Sequence, residues 1–133
     1  MIALDTNILV RYIVHDDTTQ AAAATRLIER ECTSASPGWI DAVVLCELVW
    51  VLESAYDYTR IVVAEVLRTL LSSAELRVES PQIAWAALQA YQIGTADYAD
   101  CLIGLRNLQA GCAATVTFDK KAARMATHRL VKS

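Results

Sequence analysis

Five carboxylates in this sequence stand against apolar runs. Asp5 closes the opening stretch Met1-Ile2-Ala3-Leu4, and Glu47 lies inside the run from Val43 to Leu52. Asp97 and Asp100 bracket Tyr98-Ala99 and lead into Cys101-Leu102-Ile103, and Asp119 follows Val116-Thr117-Phe118. Acidic residues are seldom buried unless they are paired or bind a metal. Four separate segments that each carry an acid in this way point to a cluster built around a cation. Like charges sharing one pocket repel, and without a cation some of them would have to hold a proton. Hard oxygen donors with no histidine among them select Mg²⁺, with Mn²⁺ as the alternative, over zinc. Mg²⁺ held by a few carboxylates and water lowers the pKa of a bound water and neutralises charge on phosphate oxygens. Phosphoryl-group chemistry is therefore the expectation.

The elements that must position these acids can be read from the apolar periodicity. Residues 2–4 read as a short buried strand, followed by a helix over 8–14 with Thr6 or Asn7 as its N-cap. After a turn at 15–18, a helix over 19–32 turns Leu27 and Ile28 inward. Ser36-Pro37-Gly38 is a break, and Trp39-Ile40 a brief strand. Asp41 caps a helix to about Tyr56, and Thr59 caps another to about Leu71. A strand follows over 75–79, and Ser80-Pro81 opens a helix to about Gln92, Pro being favoured in a first turn. Another helix runs over 98–110 and is closed by Gly111. The chain ends with a strand over 112–118, a short helix over 119–125 and a last strand over 129–131. Strands alternating with helices imply an α/β fold, a small parallel β-sheet flanked by α-helices. With no linker or repeat, residues 1–133 read as one domain.

Sites in open parallel sheets form at the carboxyl ends of the strands. Asp5 and Asp119 both stand at such ends, which would place them on one sheet edge. Asp97 and Asp100, three apart at a helix start, would share a face, where the helix N-terminus favours anions. Glu47 lies about a turn and a half past Asp41.

Composition narrows the class further. The chain has 133 residues, 55% of them apolar, enough for one domain with a real core. No run approaches the roughly 18 apolar residues of a membrane span, and Asp5 and Arg11 interrupt any leader-like opening. A soluble, cytoplasmic protein with no membrane partner is expected. Cys32, Cys46, Cys101 and Cys112 form no C-x-x-C pair, so reduced structural thiols are expected rather than a zinc site. Net charge is −3 but uneven: residues 1–100 carry six basic and 14 acidic side chains, while residues 101–133 carry six basic and one acidic. That asymmetry hints at a polyanionic partner. Lys120, Lys121 and Arg124 are the candidate phosphate contacts, with Arg129 beside them. His15 and His128 lie in polar segments expected to be exposed, and no catalytic role is assigned to them.

The acidic segments together resemble a known family. Leu4-Asp5-Thr6-Asn7-Ile8-Leu9 resembles the opening of PIN-domain nucleases, and Ala42 to Leu48 around Glu47 resembles their second acidic motif. Asp97-Tyr98-Ala99-Asp100 resembles the third and Thr117-Phe118-Asp119 the fourth. The resemblance is greatest to VapC toxins of type II toxin–antitoxin pairs. It implies a Mg²⁺-dependent endoribonuclease with Asp5, Glu47, Asp100 and Asp119 as catalytic metal ligands. Asn7 and Thr117 would be polar supports and Asp97 an accessory acid. It further implies a metal-activated water attacking in line, leaving 5′-phosphate and 3′-hydroxyl ends. The implied partners are tRNA or ribosomal RNA as substrate, a VapB-type antitoxin that places a basic side chain in the acidic pocket, and a second copy in a homodimer. Trp50, Leu52 and the helix of Trp85 are the candidate dimer surfaces. The one departure is Asp41, where the family usually has Ser or Thr.

Two other functions compete. One is a binding module whose acidic pocket captures a basic peptide without turnover, in a toxin–antitoxin-like complex; the intact set of acids speaks against it. The other is a phosphatase or phospho-accepting regulator, against which Asp5-Thr6-Asn7 lacks a second aspartate.

Overall fold

The computed structural model describes residues 1–132. The chain divides into two compact units, Met1–Pro81 and from Gln82 onward. No linker joins them, because the boundary falls in the first turn of a helix, Pro81–Ile93.

The first unit contains helices α1 (Thr6–Ile13), α2 (Thr18–Glu31), α3 (Ala42–Tyr56) and α4 (Arg60–Ser72), with strands β1 (Gly38–Ile40) and β2 (Leu76–Val78). β1 and β2 pair in parallel, Gly38 against Leu76 and Ile40 against Val78. The strand expected over 2–4 is only a single parallel bridge, Ala3 to Trp39. Its hydrogen bonds are Leu4 N–H to the Trp39 carbonyl at 2.9 Å and Trp39 N–H to the Ile2 carbonyl at 2.7 Å. It can be no longer, because Asp5 ends it by capping α1 directly.

Helical spacing decides which side chains enter the core. In α3, Leu45, Leu48, Val49 and Leu52 form a buried stripe, while Val43, Glu47 and Trp50 point away from it into solvent. Leu52 is fully buried, so it cannot belong to a dimer surface, whereas Trp50 is 69% exposed. In α4 the buried set is Val63, Ala64, Leu67 and Leu70. In α2 it is Ala21, Ala24 and Ile28, with Leu27 only half-buried. Small alanines on that face let α1 and α2 approach closely, and α1 also packs on α3.

The second unit holds α5 (Pro81–Ile93), α6 (Tyr98–Gln109), β3 (Thr115–Thr117), a single 3-10 turn at Ala122–Arg124 and β4 (His128–Leu130). β3 and β4 pair in parallel, Thr115 against His128 and Thr117 against Leu130. All the pairing is parallel, as the order of elements implies, but it forms two separate two-stranded ladders rather than one sheet. The short helix expected over 119–125 is this 3-10 turn, too short to continue as α-helix. Ala84, Ala87, Leu88 and Tyr91 of α5 and Tyr98, Cys101 and Leu102 of α6 are buried. The Tyr91 and Tyr98 rings meet edge-on with centroids 6.0 Å apart. The Tyr98 hydroxyl donates to the Ala84 carbonyl at 3.0 Å, which satisfies its one polar atom.

α6 ends as expected at Gly111, whose φ of +98° suits glycine. Gly104, midway along α6, has a different reason to be glycine. A Cβ there would meet Thr127 Oγ1 and stand 2.7 Å from His128 Cε1. Its bare backbone lets the segment that begins β4 lie against α6. Gly104→Ala is expected to destabilise the chain by about 1–3 kcal/mol, the usual range for overpacking. Urea unfolding measures this, and a change under about 0.5 kcal/mol, the scatter of a neutral surface substitution, would contradict the packing argument.

Candidate functional site

The first unit brings Asp5 and Glu47 to one place. Asp5 is the N-cap of α1: its Oδ1 accepts from the Thr6 amide at 2.7 Å and its carbonyl accepts from the amides of Ile8 and Leu9. The cap is therefore Asp5, not Thr6 or Asn7. Displaced to the first helical position, Thr6 turns its hydroxyl to Glu47 Oε1 at 3.3 Å. Both acids are exposed. The expectation that apolar neighbours bury Glu47 fails because α3 turns those neighbours inward and leaves Glu47 on its outer stripe. Asp5, Thr6, Asn7 and Glu47 line one cavity of about 380 Å³, whose remaining polar walls are Arg11 and Tyr56.

Asp41 is a helix cap. Its Oδ1 accepts from the amides of Val43 at 2.6 Å and Val44 at 3.4 Å. The next amide, Ala42 N–H, donates to Glu79 Oε1 at 3.0 Å. Glu79 thus ties the strand end after β2 to the start of α3. Nothing in the local pattern around Glu79 pointed to that role.

Sequence reasoning also missed the network around Arg11. Its Nε donates to Gln20 Oε1 at 2.7 Å, and its Nη1 donates to Asp16 Oδ1 at 2.7 Å and to the Tyr56 hydroxyl at 3.3 Å. The Tyr56 hydroxyl in turn donates to Asp16 Oδ2 at 2.8 Å. Hydrogen bonding from Tyr56 is the main reason the Asp16 carboxyl is held below its ordinary value, with Arg11 adding to it. The available signal was a lone arginine within an otherwise apolar helix, followed by the Asp16-Asp17 turn.

In the second unit, Asp97 stands at the N-cap of α6. Its carbonyl accepts from the Cys101 amide at 3.1 Å, but its side chain makes no capping bond. Asp97 is exposed and Asp100, one turn into the helix, is half-buried. Burial pushes the Asp100 carboxyl above its ordinary value, and the charges of Asp97 and Asp119 push it the same way, against the opposing effect of His128. His128 is buried, not exposed, and its Nδ1 shares a hydrogen bond with Thr127 Oγ1 at 2.8 Å. Asp119 is exposed, and its Oδ1 accepts from the amides of Lys121 at 2.8 Å and Ala122 at 3.2 Å. The Thr117 hydroxyl accepts from the Asp119 amide at 3.0 Å and so fixes the backbone that carries this acid. Lys120, Lys121, Arg124 and Arg129 are all exposed in and around the same short segment.

The four expected ligands therefore fall two to each unit. The sheet-edge argument for Asp5 and Asp119 does not apply, because the strands beside them belong to different ladders. Among the described residues, no three His, Cys, Asp or Glu side chains form a ready cage for an ion. The charges of Asp97 and Asp119 act on Asp100, but the three do not close into one. The donors suit an open site instead. Mg²⁺ keeps several waters and takes one or two carboxylates, and all the candidate donors are hard oxygens. Asp5 and Glu47 on one cavity wall meet that requirement, as do the mutually repelling acids of α6 and Asp119.

A family model described as PIN domain matches residues 2–127. The comparison with curated proteins finds no match.

Two outcomes are expected. Asp41→Ala should cost about 1 kcal/mol and Asp41→Ser close to nothing, since Ser caps as well as Asp. Loss of function in a stable Asp41→Ser variant would instead give Asp41 a place in the chemistry. For Asp100 the sign follows from its raised pKa. The folded chain takes up this proton more readily than the unfolded chain, so the group's contribution to stability is full below the ordinary value of 3.8 and is lost as pH rises through the raised one. In EDTA at pH 7, Asp100→Asn should therefore be more stable than the parent, and the gain should shrink on acidification below pH 4. Thermal melts at both pH values decide it; a variant less stable at pH 7 would remove the electrostatic account.

Proposed function

This chain belongs to the PIN domain family, and from that premise we propose that it is a Mg²⁺-dependent endoribonuclease of the VapC toxin type. PIN domains are generally nucleases that use divalent metal ions, and RNA is the substrate class the family suggests. The observation that carries the finer reading is Asp100. Partial burial of its carboxyl raises its pKa, and the charges of Asp97 and Asp119 push it the same way. Such an arrangement costs stability in the bare chain and becomes favourable when a cation offsets it.

Asp5, Glu47, Asp100 and Asp119 would hold the ion. When bound, it supplies an activated water and neutralises charge on the phosphate. The chain's own part is placement. The Thr6 amide pins one oxygen of Asp5, and the Lys121 and Ala122 amides pin one oxygen of Asp119. Pinning one oxygen fixes the direction of the other. The Thr6 hydroxyl steadies Glu47, and Thr117 steadies the backbone of Asp119. Asn7 lines the Asp5–Glu47 cavity, where its amide can orient a carboxylate or a water. Lys120, Lys121 and Arg124 supply exposed positive charge for the RNA backbone. Hydrolysis by water leaves 5′-phosphate and 3′-hydroxyl ends, with tRNA or ribosomal RNA as the substrate. The same acids would receive a basic side chain from a VapB-type antitoxin, and the exposed Trp50 face of α3 is the candidate homodimer surface. The setting is the cytoplasm, and no helix is long and apolar enough to cross a membrane among the described residues.

Purified chain incubated with total RNA should cleave with Mg²⁺ and stop with EDTA. Asp5→Asn, Glu47→Gln and Asp119→Asn should each lower the rate by about a hundredfold or more, and Thr117→Ala by about tenfold, as loss of a ligand or of its support does. End analysis of the products completes the test: cleavage that survives EDTA, or 2′,3′-cyclic phosphate ends, would exclude hydrolysis by a metal-activated water.

A further inference from the structure

Arg11 contributes the cationic side chain of the cavity that holds Asp5 and Glu47, and that cavity's remaining polar walls are Thr6, Asn7 and Tyr56. Asn7 and Arg11, four residues apart on one face of α1, also line a neighbouring cavity of about 540 Å³ beside Gln20. Arg11 therefore borders both the acidic cavity and a second groove.

Its surroundings are unusual for a surface arginine. Asp16, Gln20 and Tyr56, drawn from a turn, α2 and α3, all bind its Nε and Nη1. The ion pair is exposed, with 30% of the Arg11 side chain and 44% of that of Asp16 accessible. Pairs of that kind add little stability. What three partners do achieve is to fix the plane of the fork. Among the described residues no hydrogen bond engages Nη2, so a pre-oriented N–H edge is left over. Asp16 and Tyr56 are the partners of Arg11 by both hydrogen bond and charge, and none of its hydrogen bonds goes to Asp5 or Glu47. The cavity therefore has an acidic part suited to a cation and a separate, fixed guanidinium suited to an anion. A rigid guanidinium is the side chain that best matches phosphate oxygens.

We propose that Arg11 binds a backbone phosphate of the RNA next to the one cleaved, with Asp16, Gln20 and Tyr56 as its positioning residues. The proposal rests on the ribonuclease reading for its substrate, and its test is arranged so that the two can fail separately. Binding is measured by fluorescence anisotropy with end-labelled bulk tRNA on the full chain, in an Asp5→Asn background that keeps the RNA intact, across a KCl series. Arg11→Gln should weaken binding by about fivefold to tenfold and lower the log–log salt slope by about one, the signature of one lost phosphate contact. Arg11→Lys should recover the slope but not all of the affinity. On the active chain, Arg11→Gln should raise KM with little change in kcat, as loss of uniform binding does. Tyr56→Phe, which removes the brace and no charge, should weaken binding while leaving the slope unchanged. An unchanged affinity and slope in Arg11→Gln would overturn the proposal and leave Arg11 as a stitch between helices; so would the absence of any tRNA binding by the parent. If the parent binds tRNA through Arg11 but cleaves no RNA with Mg²⁺, the ribonuclease reading fails and the phosphate contact stands.

Discussion

The hydrogen bond between a carboxylate and the first amides of a helix organises much of this molecule. Asp5, Asp17 and Asp41 cap α1, α2 and α3 through their side chains, and Asp119 binds the amides at its own turn, while Asp97 stands at the N-cap of α6 without a side-chain bond. An aspartate serves here because its short side chain reaches the next free N–H groups while the partial positive end of the helix favours its charge. At Asp5 and Asp41 a brief bridge or strand ends, and the acid that follows caps the next helix. A capping aspartate uses one oxygen for the backbone. Where the second oxygen faces a cavity or solvent, as at Asp5 and Asp119, the same residue can serve the fold and hold a cation.

Asp100 departs from that pattern. It caps nothing, lies one turn inside α6 and is half-buried, and burial together with the charges of Asp97 and Asp119 drives its carboxyl upward. Asp5 and Asp119 lie in the open, where water and backbone amides stabilise them. Buried His128, behind Asp100, offsets part of the penalty, and it can approach because Gly104 has no side chain. A divalent ion at Asp100 would relieve that penalty.

The helices and their inward faces were legible because 3.6-residue periodicity survives in every one of them, as Leu45, Leu48 and Leu52 of α3 illustrate. The acids were legible as a set because each interrupts an apolar run. Their environment was not. Glu47 is surrounded by apolar residues in sequence and by solvent in space, since a helix separates neighbours by 100° and sends Leu48 inward while Glu47 turns out. The N-cap of α1 was shifted by one or two residues because Thr6, Asn7 and Asp5 all cap well, and only the backbone turn decides among them. The two-ladder arrangement was illegible because strands of three residues carry no alternation that could assign a partner. His128 looked exposed among polar neighbours; the gap left by Gly104, 24 positions earlier, buries it. Arg11 was passed over for a related reason: its partners Asp16, Gln20 and Tyr56 are polar residues with no pattern of their own, and only folding brings Tyr56 to them.

These placements bear on how an acidic chain could handle a polyanion. Residues 1–100 carry eight more acidic than basic side chains, which repels RNA at long range. Attraction has to come from local charges fixed in place, because a mobile lysine in that field would be neutralised by the nearest carboxylate. Arg11 meets the condition through three partners on two of its nitrogens. Lys120, Lys121 and Arg124 escape neutralisation differently, by lying in a segment that contains a single acid, Asp119, whose Oδ1 is already engaged by backbone amides. In both units positive charge stands beside the candidate ligands without cancelling them. A simple surface ion pair between the same residues would have left neither the cation nor the phosphate a place to bind.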